Sequence, residues 1–254
     1  MIIGIILAAG KGKRFKAKGF NKTVSYFAGK PLVRYSSDLF LKVAEYIFVV
    51  VGVGAKGVIE AVGNNPKIIF VKQRKRLGTG HATKVAVEEI QKKNLNPKYV
   101  LVGYGDHMMF YTKKIIKKLI KILDKSKAVL SIVTCEYKFP NLLAWGRIIR
   151  DKFGNFKAIV EQKDATGKQK QIKELNAGLY CFRWEFLRSA LKKLKKSSAS
   201  GEYYLTDLVK TAVDEGKFVV GLKVPFEYVG IGVNTKEELL ESERLYLKRK
   251  KAKQ

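Results

Sequence analysis

The fold class is decided near the start of the chain, by the stretch Ile2-Ile3-Gly4-Ile5-Ile6-Leu7-Ala8-Ala9-Gly10-Lys11-Gly12-Lys13-Arg14-Phe15. Its first residues form an apolar run of strand length, Ile2–Leu7, as expected for a strand buried on both faces of a parallel sheet. Small residues, glycines and cations follow the strand directly. Because glycines let backbone N–H groups approach a ligand closely, such a loop is suited to cradling phosphate groups.

Downstream of this loop, strand-length apolar runs alternate with segments of helical spacing. Further strands are predicted at Tyr46–Val53, Ile68–Val71, Tyr99–Tyr104 and Ala128–Thr134. Helices are predicted at Pro31–Val43, His81–Lys93 and Lys113–Leu123, with Pro31 as a first helical residue and Thr79 as an N-cap. Since strand–helix alternation is typical of βαβ units, we predict an α/β fold with a Rossmann-like, mostly parallel sheet flanked by helices.

The second half of the chain has a different rhythm, with shorter strands and glycine-bearing turns from about Asn141 onward. Strands are predicted at Gly146–Ile149, Ala158–Glu161 and Leu179–Phe182, and helices at Leu205–Glu215 and Thr235–Tyr246, the latter with a Thr235–Glu238 capping box. No repeat or flexible linker divides the sequence. We therefore predict a single domain over residues 1–247, with a main part at about 1–135, a smaller β-rich part at about 136–234, and a frayed basic tail at 248–254.

The composition is strongly basic. The 254 residues include 51 Lys and Arg against 22 Asp and Glu, which gives a formal net charge of +29. Since 46% of the residues are hydrophobic, the chain is not a disordered basic tail, and the charge favours nucleic acids, anionic membranes or phosphorylated metabolites as partners. No apolar stretch approaches the roughly 20 residues that cross a bilayer, and the 2 cysteines form no disulfide framework. We expect a cytoplasmic protein without a membrane partner.

Two further glycine-bearing segments point to the same ligand site. Gln73–Ala82 places an amide, glycines and a hydroxyl before a helix, and Gly103–Asp106 ends a buried strand with a carboxylate. Because ligands of open α/β sheets bind at the carboxyl ends of strands, these segments and the first loop predict one site for a phosphate-containing ligand. A carboxylate among so many cations suggests Mg²⁺. On these residues alone the first loop, which is neither a Walker A nor a G-x-G-x-x-G motif, could be an ordinary basic turn, and Asp106 a helix cap.

A series of segments over nearly the whole chain resembles the sugar-1-phosphate nucleotidyltransferase family, and most closely the uridylyltransferase domain of bacterial bifunctional N-acetylglucosamine-1-phosphate uridylyltransferases. Leu7–Arg14 resembles the family signature L-A-A-G-x-G-x-R, and Leu77–Ala82 resembles a motif particular to the uridylyl branch. The other similar segments are Lys22, Ala28–Leu32, Gly105-Asp106, Gly146–Ile148, Val160–Ala165, Asn176–Gly178, Gly201–Asp207 and Gly232–Asn234. The resemblance implies a nucleotide-diphospho-sugar transferase fold whose main part binds the nucleotide and whose β-rich part binds the sugar.

The resemblance also implies a role for individual residues. Arg14 would act on the departing pyrophosphate, and Lys22 would lie beside the transferred phosphorus. The other implied contacts are to the nucleotide by Ala9, Gly10, Lys11, Gly12, Gln73, Gly78 and Thr79 (the last three at the uracil), to the sugar by Gly146, Glu161 and Asn176, and to Mg²⁺ by Asp106 and Asn234. Taken singly, Glu161 could also be a solvated strand residue and Asn234 a turn residue before Thr235.

The implied reaction is Mg²⁺-dependent transfer of a uridylyl group from UTP to a sugar 1-phosphate, first of all N-acetylglucosamine 1-phosphate, giving a UDP-sugar and pyrophosphate. A phosphate monoester is already an anion near neutral pH because its second pKa is about 6, so the reaction needs no general base, and His81 and His107 are expected to be structural. The alternatives are thymidylyl or uridylyl transfer to glucose 1-phosphate and, in a different class, nucleic-acid binding. Scattered lysines without a recognisable nucleic-acid-binding motif disfavour the last. The sequence does not give the oligomeric state and is compatible with a monomer.

Three positions depart from the family pattern. Asn21 precedes Lys22 where proline is usual, His107-Met108-Met109 follows Asp106 in place of an apolar-Pro-Leu segment, and Ala177 replaces a threonine. None of these changes removes an implied catalytic group, so they bear on the choice of sugar.

Overall fold

A twisted central sheet organises the protein, which is represented by a computed structural model that describes residues 1–10 and 21–251. The strands are β1 (Ile2–Ala8), β2 (Tyr26–Phe27), β3 (Lys30–Pro31), β4 (Tyr46–Val51), β5 (Ile68–Lys72), β6 (Tyr99–Tyr104), β7 (Leu130–Glu136), β8 (Arg147–Arg150), β9 (Phe156–Val160), β10 (Glu174–Arg183) and β11 (Val219–Lys223). Within the described ranges nine of them form one sheet, whose main path runs β11-β7-β10-β6-β1-β4-β5. β8 and β9 extend this sheet from β10, and β2 and β3 form a separate hairpin.

Helices cover both faces of the sheet. They are α1 (Leu32–Phe40), α2 (Ala55–Val62), α3 (Thr79–Lys92), α4 (Lys113–Asp124), α5 (Gly167–Lys170), α6 (Trp184–Ala190), α7 (Asp207–Asp214) and α8 (Lys236–Lys251). β1 lies between β4 and β6 and runs parallel to both, while β10 is antiparallel to its neighbours β6 and β7. The prediction of a Rossmann-like, mostly parallel sheet flanked by helices is confirmed.

The apolar run of β1 exists because this strand is buried from both sides. Successive side chains of a strand point to opposite faces. Ile5 accordingly joins the core cluster that lies against α3 and α7, and Ile6 joins the cluster against α1 and α4. Both side chains are fully buried. A strand with water on one face would alternate apolar and polar residues, and β1 does not.

Parallel pairing brings the carboxyl ends of β1, β4 and β6 to one edge of the sheet. The turn after β6 is tied to β1 there, because the Gly105 N–H donates to the Leu7 carbonyl at 3.0 Å. The turn after β4 lies equally close, since a Cβ atom on Gly52 would come 2.7 Å from the Ala9 carbonyl oxygen. The segments that follow these strands, including Asp106, therefore lie side by side.

The β-rich part is anchored by Arg147, a fully buried cation at the start of β8. Its guanidinium donates to the carbonyls of Pro140 at 2.8 Å and Leu143 at 3.3 Å, and to that of Trp145. β8 also pairs with β10 through Leu175. These contacts fix the loop before β8, which carries Gly146.

The last helix docks against the rest of the fold through aromatic rings. Tyr246 of α8 packs on Phe27 and Phe110, with ring centroids 5.2 Å and 5.6 Å apart. Arg249 donates to the Glu227 carbonyl at 2.8 Å. The helix continues to Lys251, so the prediction of a frayed tail is wrong for Lys248–Lys251, and residues 252–254 lie outside the described part.

Some helix termini differ from the sequence-based expectations. Thr79 is the first residue of α3 and Gly78 is its N-cap, because the Thr79 hydroxyl accepts instead from the Leu205 N–H at 3.0 Å. Pro31 pairs in the β2–β3 hairpin, and α1 begins one residue later. The capping box of α8 is confirmed, since the Glu238 N–H donates to the Thr235 hydroxyl and the Glu238 carboxylate accepts from the Thr235 N–H. Across the described chain no helix is both long and apolar enough to span a membrane.

Docking of α8 can be tested at two neighbouring side chains. Replacing Tyr246→Ala removes the ring that packs on Phe27 and Phe110, and we expect the free energy of unfolding to fall by about 2 kcal/mol. The matched control is Leu247→Ala, whose side chain is exposed and should change stability by less than ~0.5 kcal/mol. Chemical denaturation of the three proteins measures the difference, and equal losses in both variants would contradict the docking.

Candidate active site

Two connected cavities open at the carboxyl edge of the sheet. The larger has a volume of about 430 Å³ and the smaller about 220 Å³. Both are lined by Lys22, Tyr104 and Asp106, so the two cavities meet at these side chains. The sequence-predicted residues that line the larger cavity are Ala9, Gly10, Gln73, Gly78 and Thr79, and those that line the smaller are Gly146, Glu161, Asn176 and Asn234. Lys11, Gly12 and Arg14 lie outside the described residues.

Lys22 is the cation at the junction of the cavities. Its ammonium forms an ion pair with the Asp106 carboxylate and donates to Asn234 Oδ1 at 3.1 Å and to the Val233 carbonyl at 2.8 Å. The Lys22 and Asp106 side chains are only 17% and 14% exposed, so water screens their attraction little. The structure thus brings together the predicted catalytic lysine and both predicted metal ligands, although Asn234 is 212 residues from Lys22.

The carboxylate of Asp106 and the amide oxygen of Asn234 are suitable ligands for a hard divalent cation. Both oxygens already converge on one positive charge, the Lys22 ammonium. Among the described residues there is no cluster of three or more His, Cys, Asp or Glu side chains that could hold a metal. The pair therefore fits a cation such as Mg²⁺, which takes one or two protein oxygens and completes its shell with phosphate oxygens and water.

Asn21 holds Lys22 in place. Its Nδ2 donates to the carbonyl of Ala8, at the end of β1, at 2.6 Å and to that of Val53, in the turn after β4, at 3.0 Å. Its Oδ1 accepts from the Thr23 N–H at 3.0 Å and caps the short 3₁₀ turn Lys22–Val24. The amide is fully used in this buried position, so hydrogen bonds supply the rigidity that the ring of the usual proline would give.

The turn between β5 and α3 forms part of the wall of the larger cavity. Gln73 is buried there, and its Nε2 lies 3.2 Å from the Gly78 carbonyl and 2.9 Å from His81 Nδ1. Gly78 has a φ of 96°, and a Cβ at this position would come 2.5 Å from the Tyr203 carbonyl oxygen, so only glycine fits. His81, which was expected to be structural, contacts a predicted nucleotide-binding amide.

Glu161 and Asn176 both line the smaller cavity. Glu161 accepts a hydrogen bond from the Thr206 hydroxyl at 2.8 Å. Burial raises the pKa of the Glu161 carboxyl, and the charges of Asp207 and Asp164 raise it further. The Asn176 amide donates to the Tyr180 hydroxyl at 2.6 Å and accepts from the Gly178 N–H at 3.1 Å. Asn176 is thus rigidly held, and much of its hydrogen-bonding capacity is used within the protein.

Two aromatic side chains line the smaller cavity although neither was predicted there: Trp145 was not singled out from the sequence, and His107 was expected to be structural. His107 and Trp145 pack edge to face with ring centroids 4.5 Å apart. Burial lowers the pKa of His107 to about 4, so the ring is neutral at neutral pH. Both residues adjoin recognised motifs, since His107 follows Asp106 and Trp145 precedes Gly146. Their position next to these motifs was the feature of the sequence that could have indicated them, but neither residue belongs to the family motifs themselves.

The charges around the cavities suit two phosphorylated ligands. Arg76 and Lys163 line the larger cavity and Lys22 lines both, while Glu161 adds a carboxylate that can accept hydrogen bonds from hydroxyl groups. Cations around a partly enclosed cleft attract polyanions and offset repulsion between two of them. The arrangement can therefore hold two phosphate-bearing molecules that meet at Lys22.

Known proteins are similar to this chain in amino-acid sequence. Residues 4–175 match the family model described as MobA-like NTP transferase domain. The chain is 37% identical over 246 residues to the bifunctional protein GlmU of Acetivibrio thermocellus, covering 96% of this chain and 51% of that protein. It is 38% identical over 241 residues to the GlmU of Dechloromonas aromatica, covering 94% and 51%. The chain thus spans about half the length of these curated relatives.

A solved structure has a similar fold. It is a protein from Bacillus anthracis assigned as a glucose-1-phosphate thymidylyltransferase, in complex with a sucrose. Its TM-score is 0.77 at 18% identity, and the match covers 97% of this chain and 95% of that one. The resemblance stated from the sequence motifs is confirmed by these matches. With the family model covering more than half of its residues, this chain belongs to the family of MobA-like NTP transferase domains.

Proposed function

We propose that the protein transfers a uridylyl group from UTP to a sugar 1-phosphate, with N-acetylglucosamine 1-phosphate as the preferred acceptor. The observation that carries this proposal is the junction of two cavities at Lys22 and Asp106, which gives each substrate a cavity and a shared point of reaction. The identity of 37–38% to proteins named GlmU supports the choice of nucleotide and sugar over the matched half of those proteins.

In this proposal UTP occupies the larger cavity, with its base near Gln73 and its α-phosphorus near Lys22. The sugar lies in the smaller cavity, where the Glu161 carboxylate accepts hydrogen bonds from its hydroxyl groups. An oxygen of the sugar phosphate attacks the α-phosphorus, and the bond from that phosphorus to the β-phosphate oxygen breaks. The products are a UDP-sugar and pyrophosphate. No proton needs to be removed because the attacking phosphate is already ionised near neutral pH.

The main barrier is repulsion between two polyanions, and the residues of the junction reduce it. Lys22 is partly buried, so its charge acts on nearby phosphate oxygens with little screening. Nucleotidyltransferases of this family generally use a divalent metal. Asp106 and Asn234 would hold Mg²⁺, which would withdraw charge from the phosphate oxygens that it contacts. Asn21 would hold Lys22 in position through its hydrogen bonds to the end of β1 and to the turn after β4.

Pyrophosphate release tests the proposal. The purified protein is incubated with Mg²⁺, each of UTP, dTTP, CTP, ATP and GTP, and a panel of sugar 1-phosphates. We expect the highest kcat/KM with UTP and N-acetylglucosamine 1-phosphate. A higher kcat/KM with glucose 1-phosphate or with dTTP would contradict the proposed substrates. Absence of pyrophosphate release with every pair of substrates would refute the proposed enzymatic activity.

Asp106 is the residue through which the metal assignment can be tested. Asp106→Asn keeps the shape of the side chain but removes its charge, so we expect kcat to fall by roughly 10²–10³ with little change in stability. Asp124→Asn is the matched control because Asp124 pairs with Lys98 and lies away from both cavities. Steady-state kinetics over a Mg²⁺ titration measures the effect. Equal activity of the two variants would remove Asp106 from the metal site.

Glu161 provides a separate test of the sugar cavity. Glu161→Gln removes a charged acceptor, and we expect KM for the sugar 1-phosphate to rise roughly tenfold or more while KM for UTP changes little. Thr206→Val removes the hydroxyl that donates to Glu161 and should raise the same KM by a smaller factor. Initial rates with each substrate varied in turn give both constants. A larger effect on KM for UTP would contradict the placement of the sugar.

A further inference from the structure

We propose that His81 sets the nucleobase selectivity of the larger cavity by fixing the orientation of the Gln73 side-chain amide, so that the amide oxygen faces the base and favours uracil over cytosine. The inference rests on the proposed function, since it assumes that a pyrimidine nucleotide binds in this cavity. His81 acts through Gln73, so its role is that of a positioning residue.

The orientation of the Gln73 amide follows from its two neighbours. The Gly78 carbonyl oxygen can only accept a hydrogen bond, so the amide atom 3.2 Å from it is the NH₂ group. The same nitrogen lies 2.9 Å from His81 Nδ1. One amide hydrogen therefore points to the carbonyl and the other to the imidazole, and the amide oxygen lies on the opposite side.

This arrangement requires one particular form of His81. Nδ1 accepts a hydrogen bond, so it carries no proton, and the ring proton is on Nε2. Burial lowers the pKa of His81, the charge of Lys84 lowers it further, and Glu88 partly offsets both effects. The neutral ring that this hydrogen bond needs is thus the favoured form at neutral pH.

The amide oxygen is left for a ligand. No residue of the described ranges donates a hydrogen bond to Gln73 Oε1. The fully buried side-chain atoms that lack a partner there are His107 Nε2 and Tyr204 Oη, so Gln73 Oε1 is not among the atoms that are sealed from solvent. Gln73 lines the larger cavity. In the same part of the chain, the Gly78 N–H has no acceptor. An acceptor and a donor thus lie close together on this wall.

This pair matches one pyrimidine edge and opposes the other. Uracil presents an N3–H donor beside an O4 acceptor, whereas cytosine presents an N3 acceptor beside an N4 amino donor. Gln73 Oε1 can accept from the uracil N3–H, and the Gly78 N–H can donate to the uracil O4. If the amide turned over, its NH₂ group would face the uracil N3–H and the match would be lost. Two hydrogen bonds of the NH₂ group oppose this rotation, one to the Gly78 carbonyl and one to His81.

The test compares UTP and CTP binding in the wild type and three variants by calorimetry without sugar, so that it does not depend on turnover. His81→Leu removes the acceptor of the Gln73 amide, so the ratio of CTP Kd to UTP Kd should fall on the order of tenfold. A tenfold change corresponds to a loss of about 1.4 kcal/mol in the free energy that discriminates the two nucleotides. His81→Asn places its Oδ1 where Nδ1 lies and should retain most of the ratio. Lys92→Met is the matched control, because Lys92 is an exposed residue of α3 that lines neither cavity, and the ratio should stay unchanged.

The outcomes separate this inference from the proposed function. A folded His81→Leu protein with the wild-type ratio would overturn the inference, as would an equal loss in His81→Asn, or a wild type that binds CTP as tightly as UTP. A loss confined to His81→Leu would support it. UTP binding without pyrophosphate release would count against the proposed function alone.

Discussion

The contact of the Lys22 ammonium with Asp106 and Asn234 is the interaction on which the rest of the site depends. A carboxylate and an ammonium that are both largely removed from water are stable only as a pair with further hydrogen bonds. Here the Val233 carbonyl and the Asn234 amide supply those bonds. The same contact joins the two cavities, because Lys22 and Asp106 line both of them.

Three parts of the fold converge to make this contact. The parallel pairing of β1 with β6 places Asp106 beside the end of β1. Asn21 ties the Lys22 turn to a carbonyl at the end of β1 and to one in the turn after β4. Asn234 precedes α8, and the Glu238 carboxylate accepts from its N–H at 2.6 Å. The aromatic docking of α8 on Phe27 and Phe110 therefore helps to position a residue of the site.

Much of the fold could be predicted because its central strands are buried on both faces. Tyr99–Tyr104 was predicted with both bounds, since an unbroken apolar run has no other common explanation at that length. The eight-residue helix Ala55–Val62 was missed because few of its residues are buried and glycines flank both ends. Thr79 was misassigned as an N-cap because its hydroxyl is used by Leu205, 126 residues away, and local sequence cannot reveal such a contact.

The sequence predicted which loops form the site, but it did not predict the contacts between their side chains. Motifs at the carboxyl ends of strands identified Asp106 and Gln73. The link between Gln73 and His81 depends on the direction of two side chains, which spacing alone does not specify. Asn21 was visible only as a departure from proline, and its role became clear once its hydrogen bonds to Ala8 and Val53 were seen.

The central claim is that nucleotide and sugar phosphate occupy separate cavities that meet at Lys22. A crystal structure of the protein with Mg²⁺ and UDP-N-acetylglucosamine tests it most directly. The account predicts the uracil beside Gln73 and Gly78, the phosphates beside Lys22, and the sugar against Glu161. Density for the base in the smaller cavity, or for phosphates away from Lys22 and Asp106, would contradict it.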